Sequence, residues 1–405
     1  MTNLFGEAEA EPAADGHDDD FSVGDYADVI DAQDNSGLQL PRHSTYCAGH
    51  EAIEQRLIQL IKDDKLPHAL IFSGIEGIGK STLAYRLARY LLAHGKVGNT
   101  ADDDGNGLFG EDLPEAAGEA PDTLHDTLHV APEERVFQQV ASGGHPDLLT
   151  IERPFDAKKG RFKGHIDVEE ARRVTPFMRM TASQGGWRVV IVDDADKMNR
   201  NAQNAILKIL EEPPENAILV LVCHRLGAMI PTIRSRCRVV QFQPLAFDLY
   251  RTVLRKDHPD MTSDDIDVLH SMTGGSIGQA LRIAEEEGLE AVGNITDIFQ
   301  SWPQWDWVKI HAFSDNMGRA GSAEAYEMFQ RLMIWIVDTL TRHKAYNAPL
   351  PMQLKTEAVG RMIAHYSLND WIEIARSMVE HFETFDKANL DKRQAVFGSF
   401  SLLKE

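Results

Sequence analysis

Eight residues, Gly74-Ile-Glu-Gly-Ile-Gly79-Lys80-Ser81, carry the densest chemistry in this 405-residue chain. Their pattern, Gly-x4-Gly-Lys-Ser, suits a polyphosphate. Glycines let backbone N–H groups wrap closely round an anion, and a following helix turns the positive end of its dipole toward it. In such a loop Lys80 reaches the β- and γ-phosphates of ATP and the Ser81 hydroxyl ligates Mg²⁺. A random chain of this length matches the pattern roughly once in a hundred cases at average residue frequencies, so a chance glycine turn is the weaker reading. The expected nucleotide-binding residues are Gly74, Gly77, Gly79, Lys80, Ser81 and Thr82, with ATP and Mg²⁺ as cofactors.

A second constellation is Val189-Val190-Ile191-Val192-Asp193-Asp194, an apolar run closed by two carboxylates. Asp193 suits the orientation of Mg²⁺. Asp194 has two readings. It stands where a water-activating Glu usually stands, one methylene too short, or it caps the next helix from a solvated turn.

The surrounding elements fit both motifs. His68–Ser73 reads as a buried strand entering the glycine loop, and Ser81–His94 resumes helical spacing through Leu83, Leu87, Tyr90 and Leu91. Before them, 51–62 spaces Ile53, Leu57, Leu60 and Ile61 as an amphipathic helix. After them, Asp147–Glu152, Trp187–Asp193, Ala217–Val222 and Val239–Phe242 read as strands. Residues 167–180, and a stretch through Ala202 to Leu210 stopped by Pro213-Pro214, read as helices. Strands apolar on both faces that alternate with helices predict an α/β domain with a parallel sheet covered on both sides. Strand signals end near residue 246. The expected domains are a nucleotide-binding domain over 41–245, a small helical lid over 246–289 and an all-helical domain over 290–405. Trp302, Trp305, Trp307 and Phe313 form either core or a binding surface.

The net charge of −22 is local. Residues 1–40 and 97–134 each hold eleven acids and no Lys or Arg, and elsewhere acids and bases balance at 41 each. Such acidic tracts bury too little apolar surface to offset ordering entropy, so disorder is expected in the tail (1–40) and the insertion (97–134). Cys47, Cys223 and Cys237 lack CxxC spacing, so neither a disulfide framework nor a cysteine zinc site is expected. His125, His129 and His145 lack the cysteines that would make a zinc module and read as surface histidines. The opening Met-Thr-Asn-Leu-Phe-Gly-Glu has no basic and apolar regions of an export signal, and no apolar run nears the roughly 18 residues of a membrane span. A cytoplasmic location is expected.

Residues 66–89, 145–154 and 189–238 resemble the delta-prime branch of the bacterial clamp-loader AAA+ family. The most specific pieces are Asn204-Ala-Ile-Leu-Lys-Ile-Leu-Glu-Glu-Pro-Pro214 and Thr232-Ile-Arg-Ser-Arg-Cys237. The resemblance covers 41–290 well and reaches the C-terminal part weakly, through Asn389-Leu-Asp-Lys-Arg-Gln394. It implies an AAA+ P-loop domain, a lid and a helical collar domain holding subunits together. It further implies partners: gamma/tau-type motor and delta-type subunits, the sliding clamp, and primer–template DNA reached through the complex. In Ser235-Arg236-Cys237 it implies an arginine finger, Arg236, that acts on a neighbouring subunit's ATP. From composition alone, Arg236 reads as part of a solvated basic turn between Arg234 and Arg238.

Departures from the family's motor subunits imply a site that binds ATP and hydrolyses it slowly or not at all. Cys223 and His224 lie where a polar Thr or Asn faces the γ-phosphate. Gly278 occupies the place of a phosphate-sensing arginine, with Arg282 one helical turn on. The motor's zinc module is missing. A self-sufficient AAA+ ATPase, the motor-type paralogue, remains the alternative, supported by Lys80, Ser81 and Asp193. A metabolic P-loop kinase leaves the Ser-Arg-Cys element unexplained.

Overall fold

The computed structural model describes residues 40–95, 126–156, 161–183, 186–285, 288–317, 323–388 and 390–403. Residues 1–39 of the acidic tail, 97–125 of the insertion, His125 and Asn389 lie outside the described residues.

Five parallel strands form the central sheet: β1 (Ala69–Ser73), β2 (Leu148–Ile151), β3 (Arg188–Val192), β4 (Ala217–Cys223) and β5 (Arg238–Gln241). Their order is β2-β3-β4-β1-β5. The expected parallel sheet is therefore present; its three central strands, β3, β4 and β1, are buried on both faces, whereas the edge strands β2 and β5 are only partly buried. Ala69 and Ile71 of β1, Val190 and Val192 of β3, and Leu219 and Leu221 of β4 enter one core. The intervening Leu70, Phe72, Val189, Ile191, Ile218, Val220 and Val222 enter the other, beneath the P-loop helix Lys80–His94.

Four expectations need adjustment. His145, read as a surface histidine, is buried at 3% exposure, with Nδ1 accepting from the Asp147 N–H. The helix expected over 167–180 is two helices, Val168–Arg172 and Val174–Arg179. Pro176 has no N–H to return to the carbonyl of Arg172, which breaks the ladder there. The stretch through 202–210 is likewise Arg200–Ala205 and Leu207–Glu211, parted at Ile206. The end of the acidic insertion is ordered rather than disordered: Leu128 and Val130 are buried. The Leu128 N–H donates to Glu54 Oε1 (2.6 Å), which also pairs with Arg86 (2.7 Å). Two apolar side chains and one buried acceptor outweigh the local acidity.

Beyond residue 246 the chain is helical among the described residues, as the α/β-then-helical reading of the AAA+ type requires. Lid and C-terminal helices share one core, which runs from Leu245, Tyr250 and Leu269 to Phe329, Trp371 and Phe400 without a break at 289. Trp335 Nε1 donates to Ser271 Oγ (3.1 Å) across that boundary. Trp302, Trp305 and Phe313 belong to this core, whereas Trp307 is partly exposed and lies 4.7 Å from the Phe397 ring.

Phe329, 1% exposed, sits between Phe313, Phe382 and Phe400 at centroid distances of 5.6 to 6.1 Å. Phe329→Ala is expected to destabilise the helical part by about 3–5 kcal/mol through lost burial and a residual cavity. Because the core is shared, hydrogen exchange in the lid helix Ser263–Thr273 should accelerate together with that of Ala323–Tyr346. Unchanged lid exchange would mean two independent cores.

Candidate functional site

The parallel strand order brings four carboxyl-terminal strand ends side by side, where α/β sheets characteristically bind ligands. Across the sheet they present Arg153 beyond β2, Asp193 and Asp194 beyond β3, His224 beyond β4 and the glycine loop beyond β1. The side chains connect in that same order. Arg153 Nε donates to Asp194 Oδ2 (2.6 Å), and His224 Nε2 donates to Asp194 Oδ1 (2.6 Å). His224 Nδ1 accepts from Lys80 Nζ (3.0 Å), and Lys80 also donates to the Ile75 carbonyl (2.6 Å). These partners require the imidazole tautomer protonated on Nε2.

The loop has the backbone its sequence implies. Gly77 and Gly79 adopt φ of 75° and 97°, a region that favours glycine. At Gly74, an added Cβ would lie 2.8 Å from the Phe242 carbonyl oxygen. Lys80 opens the helix and is 3% exposed, and burial holds its ammonium below the usual lysine pKa. Ser81 and Thr82 are half-buried in the first turn. Ser81 Oγ donates to Asp193 Oδ1 (3.0 Å). Burial, then the neighbouring charges of Asp194 and Glu152, push the Asp193 carboxyl up to about 6. A hydroxyl and a carboxylate converging beside a phosphate-type loop are the oxygen donors that Mg²⁺ takes alongside nucleotide phosphates. These residues fit Mg²⁺·ATP.

Asp194 matches neither sequence-derived role simply. Its backbone is left-handed (φ 53°), and its side chain caps no helix. Both oxygens are engaged, by His224 and Arg153. Burial alone would raise its carboxyl; hydrogen bonds from His224 and Arg153 outweigh that and hold it below the usual range. A carboxylate so stabilised is a poor proton acceptor.

The lid meets the loop through backbone. Ser276 Oγ donates to the Glu76 carbonyl (2.6 Å), and the Gly278 N–H donates to that of Gly77 (2.8 Å). A Cβ on Gly278 would lie 3.0 Å from the Gly77 oxygen, so no arginine stands there. Arg282 instead approaches Glu76 at 3.9 Å.

Arg236 is elsewhere. It lies in the turn between the helix Pro231–Arg234 and β5. Arg238 is level with Leu70 in the β1–β5 register, so this turn is at the amino end of the sheet. The glycine loop leaves the carboxyl end. Cys237 is buried beside it, its thiol pushed up to about 12 by burial, while the Arg236 side chain is 36% exposed.

Sequence reasoning missed Arg153, Tyr85 and Ser276. Arg153 was findable: once β2 is placed beside β3, the residues just past each strand must be neighbours. Tyr85, whose hydroxyl donates to Glu152 (3.3 Å), and Ser276 had no local signal. Among the described residues, no group of three His, Cys, Asp or Glu is placed to hold a metal ion, and no helix is long and apolar enough to cross a membrane.

Folding raises Asp193 from 3.8 to about 6, so its contribution to stability is complete below about 4 and is lost as pH rises through 6. Asp193→Asn keeps an oxygen for Ser81 while removing the buried charge. At pH 8 it should stabilise the nucleotide-free protein, by on the order of 2 kcal/mol, and flatten the Tm–pH profile between 4 and 6. It should also abolish the rise in Tm caused by Mg²⁺·ATP. A variant less stable than wild type at pH 8 would show that the carboxylate is not a buried liability.

A family model described as DNA polymerase III, delta subunit, matches residues 124–246. The delta-prime subunit of DNA polymerase III from Pseudomonas aeruginosa is 33% identical over 217 residues, 53% of this chain and 55% of that protein. The chain thus spans about half the length of that relative. The Escherichia coli delta-prime subunit is 26% identical over 290 residues, 71% of this chain and 74% of that protein. Mouse replication factor C subunit 5 is 31% identical over 136 residues, 33% of this chain and 40% of that protein. These matches make the chain similar to delta-prime and other clamp-loader subunits, in agreement with its parallel sheet order and glycine loop.

Proposed function

We propose that the chain works as the delta-prime-type subunit of a DNA polymerase III clamp loader. It binds Mg²⁺·ATP at Lys80, Ser81 and Asp193, hydrolyses it slowly, and supplies Arg236 to the ATP of an adjacent motor subunit as the sliding clamp is loaded on primed DNA. The carrying observation is that Arg236 and the chain's own loop lie at opposite ends of the sheet. Four residues of strand separate the level of Arg238 from Gly74, roughly 13 Å at strand rise, which is too far for this guanidinium to serve its own site. A guanidinium supplied in trans stabilises charge developing on the transferred γ-phosphoryl group. Asp194, held by two donors, supports slow turnover at the chain's own site.

The motor-type alternative draws on the Ser81–Asp193 contact, which a hydrolytic site also needs. The readings separate on purified protein: the delta-prime reading expects Mg²⁺·ATP binding with negligible turnover, and robust hydrolysis without partners would favour the motor.

In the reconstituted complex, Arg236→Ala should reduce DNA-stimulated ATPase at the neighbouring site by about a thousandfold or more, within the range of trans arginine fingers. This subunit's own nucleotide affinity, measured by fluorescent-nucleotide titration, should not change. Lys80→Ala should show the reverse at this subunit, abolishing its nucleotide binding. Full ATPase with Arg236→Ala would refute the trans role.

A further inference from the structure

The contacts of Arg236 within its own chain carry a consequence for that role. The Ser-Arg-Cys turn is built on the carbonyl of Thr232, which accepts from Ser235 Oγ (3.1 Å) and from Arg236 Nη1 (3.0 Å). Cys237, buried next door, anchors the turn to the core. A second element reaches Arg236 from outside the turn: Glu211, whose Oε1 lies 2.8 Å from Nη2.

Glu211 is the last residue of the helix Leu207–Glu211. That is an unfavourable place for a carboxylate, because the last carbonyls of a helix carry partial negative charge. Pro213-Pro214 follows the C-cap residue Glu212 and keeps the helix from continuing past Glu211. A carboxylate at the wrong end of a helix, 51% exposed and within hydrogen-bonding distance of one particular guanidinium, contributes little to folding as a surface pair. It does fix where the guanidinium sits.

We propose that Glu211 is a positioning residue for Arg236, holding the guanidinium in one rotamer on the rim of the domain with its remaining N–H groups free to meet a triphosphate held by a neighbouring polypeptide. This inference rests on the trans reading of Arg236. A guanidinium has five N–H donors in a rigid plane, and the chain itself uses one in a hydrogen bond, to the Thr232 carbonyl, while Glu211 meets Nη2 as an ion pair. The hydrogen bond and the ion pair together restrain the guanidinium, and its outward N–H groups stay available. An arginine ordered before assembly has less freedom to lose when the γ-phosphoryl group arrives, and its placement, to within about an ångström, governs its effect on the transition state. The competing reading of the same contact is sequestration, in which Glu211 neutralises Arg236 and restrains it. The two readings differ in sign.

The test is a double-mutant cycle in the reconstituted complex of the full chain with its motor and delta-type partners, with DNA-stimulated ATPase as the readout. Glu211→Ala should lower kcat roughly ten- to a hundredfold with KM for ATP unchanged. Glu211→Gln, which keeps an oxygen of the same reach beside Nη2, should recover most of the loss relative to Glu211→Ala. In an Arg236→Ala background, Glu211→Ala should have no further effect, since nothing would remain to position. Three results overturn the proposal: unchanged or faster turnover with Glu211→Ala, no recovery with Glu211→Gln, or an equal loss in the absence of Arg236. Loss of the trans reading itself looks different, because Arg236→Ala alone would then keep full activity and both inferences would fall together.

Discussion

Lys80 is buried in a loop where its charge must be met by hydrogen bonds, since a desolvated ammonium without partners costs several kcal/mol. The Ile75 carbonyl and the His224 imidazole meet it, and the histidine contact constrains the rest of the site. Accepting from Lys80 on Nδ1 leaves His224 its Nε2 proton, which goes to Asp194. The other Asp194 oxygen goes to Arg153. One buried cation thereby sets the tautomer of a histidine at the end of β4 and, through it, the state of a carboxylate beyond β3. The His224 N–H, bonded to Asp196 Oδ1 at 2.8 Å, keeps the imidazole on this line.

The sheet order makes this line possible and separates it from Arg236. With β2-β3-β4-β1 adjacent and parallel, groups at four carboxyl ends touch in sequence, although 144 residues separate Lys80 from His224. The parallel direction that gathers them also sends the start of β5, and Arg236 with it, to the far end. One topological constraint thus yields a cluster of polar side chains at one end of the sheet and a guanidinium at the other. The cluster holds Asp194 through Arg153 and His224, and the guanidinium lies partly exposed beside Glu211.

Much of this was legible in the sequence because the signals are local. The glycine loop, the strand ending in Asp193 and the amphipathic helices are each written within about fifteen residues, and the parallel sheet follows from strands apolar on both faces. What could not be read is non-local. The Arg153–Asp194 and Glu211–Arg236 pairs join residues 41 and 25 apart, and the Ser276–Glu76 contact spans 200. Hydrophobic periodicity reports which face of a helix is buried, not against what. For that reason 246–289 looked separable from 290–405, although Leu269 and Phe329 share a core. The same blindness hid the breaks at Arg173 and Ile206, since a one-residue interruption barely shifts the spacing of apolar positions.

Gly278 shows why a missing residue is better understood in three dimensions than as a loss. Read as a sequence, glycine in the place of a phosphate-sensing arginine is a deletion of chemistry. In the fold it is the condition for contact: the lid backbone comes close enough for the Gly278 N–H to bond the Gly77 carbonyl at 2.8 Å, where a side chain would meet that oxygen at 3.0 Å. Gly77 is constrained in return, because a Cβ there would lie 2.5 Å from Ser276 Oγ. The loop's outward carbonyls are thereby satisfied by the lid, which leaves its N–H groups to face the anion site. A side chain at 278 would require the lid or the loop to give by a few tenths of an ångström. At this position the chain thus has close backbone contact between lid and loop where a phosphate-sensing side chain was expected.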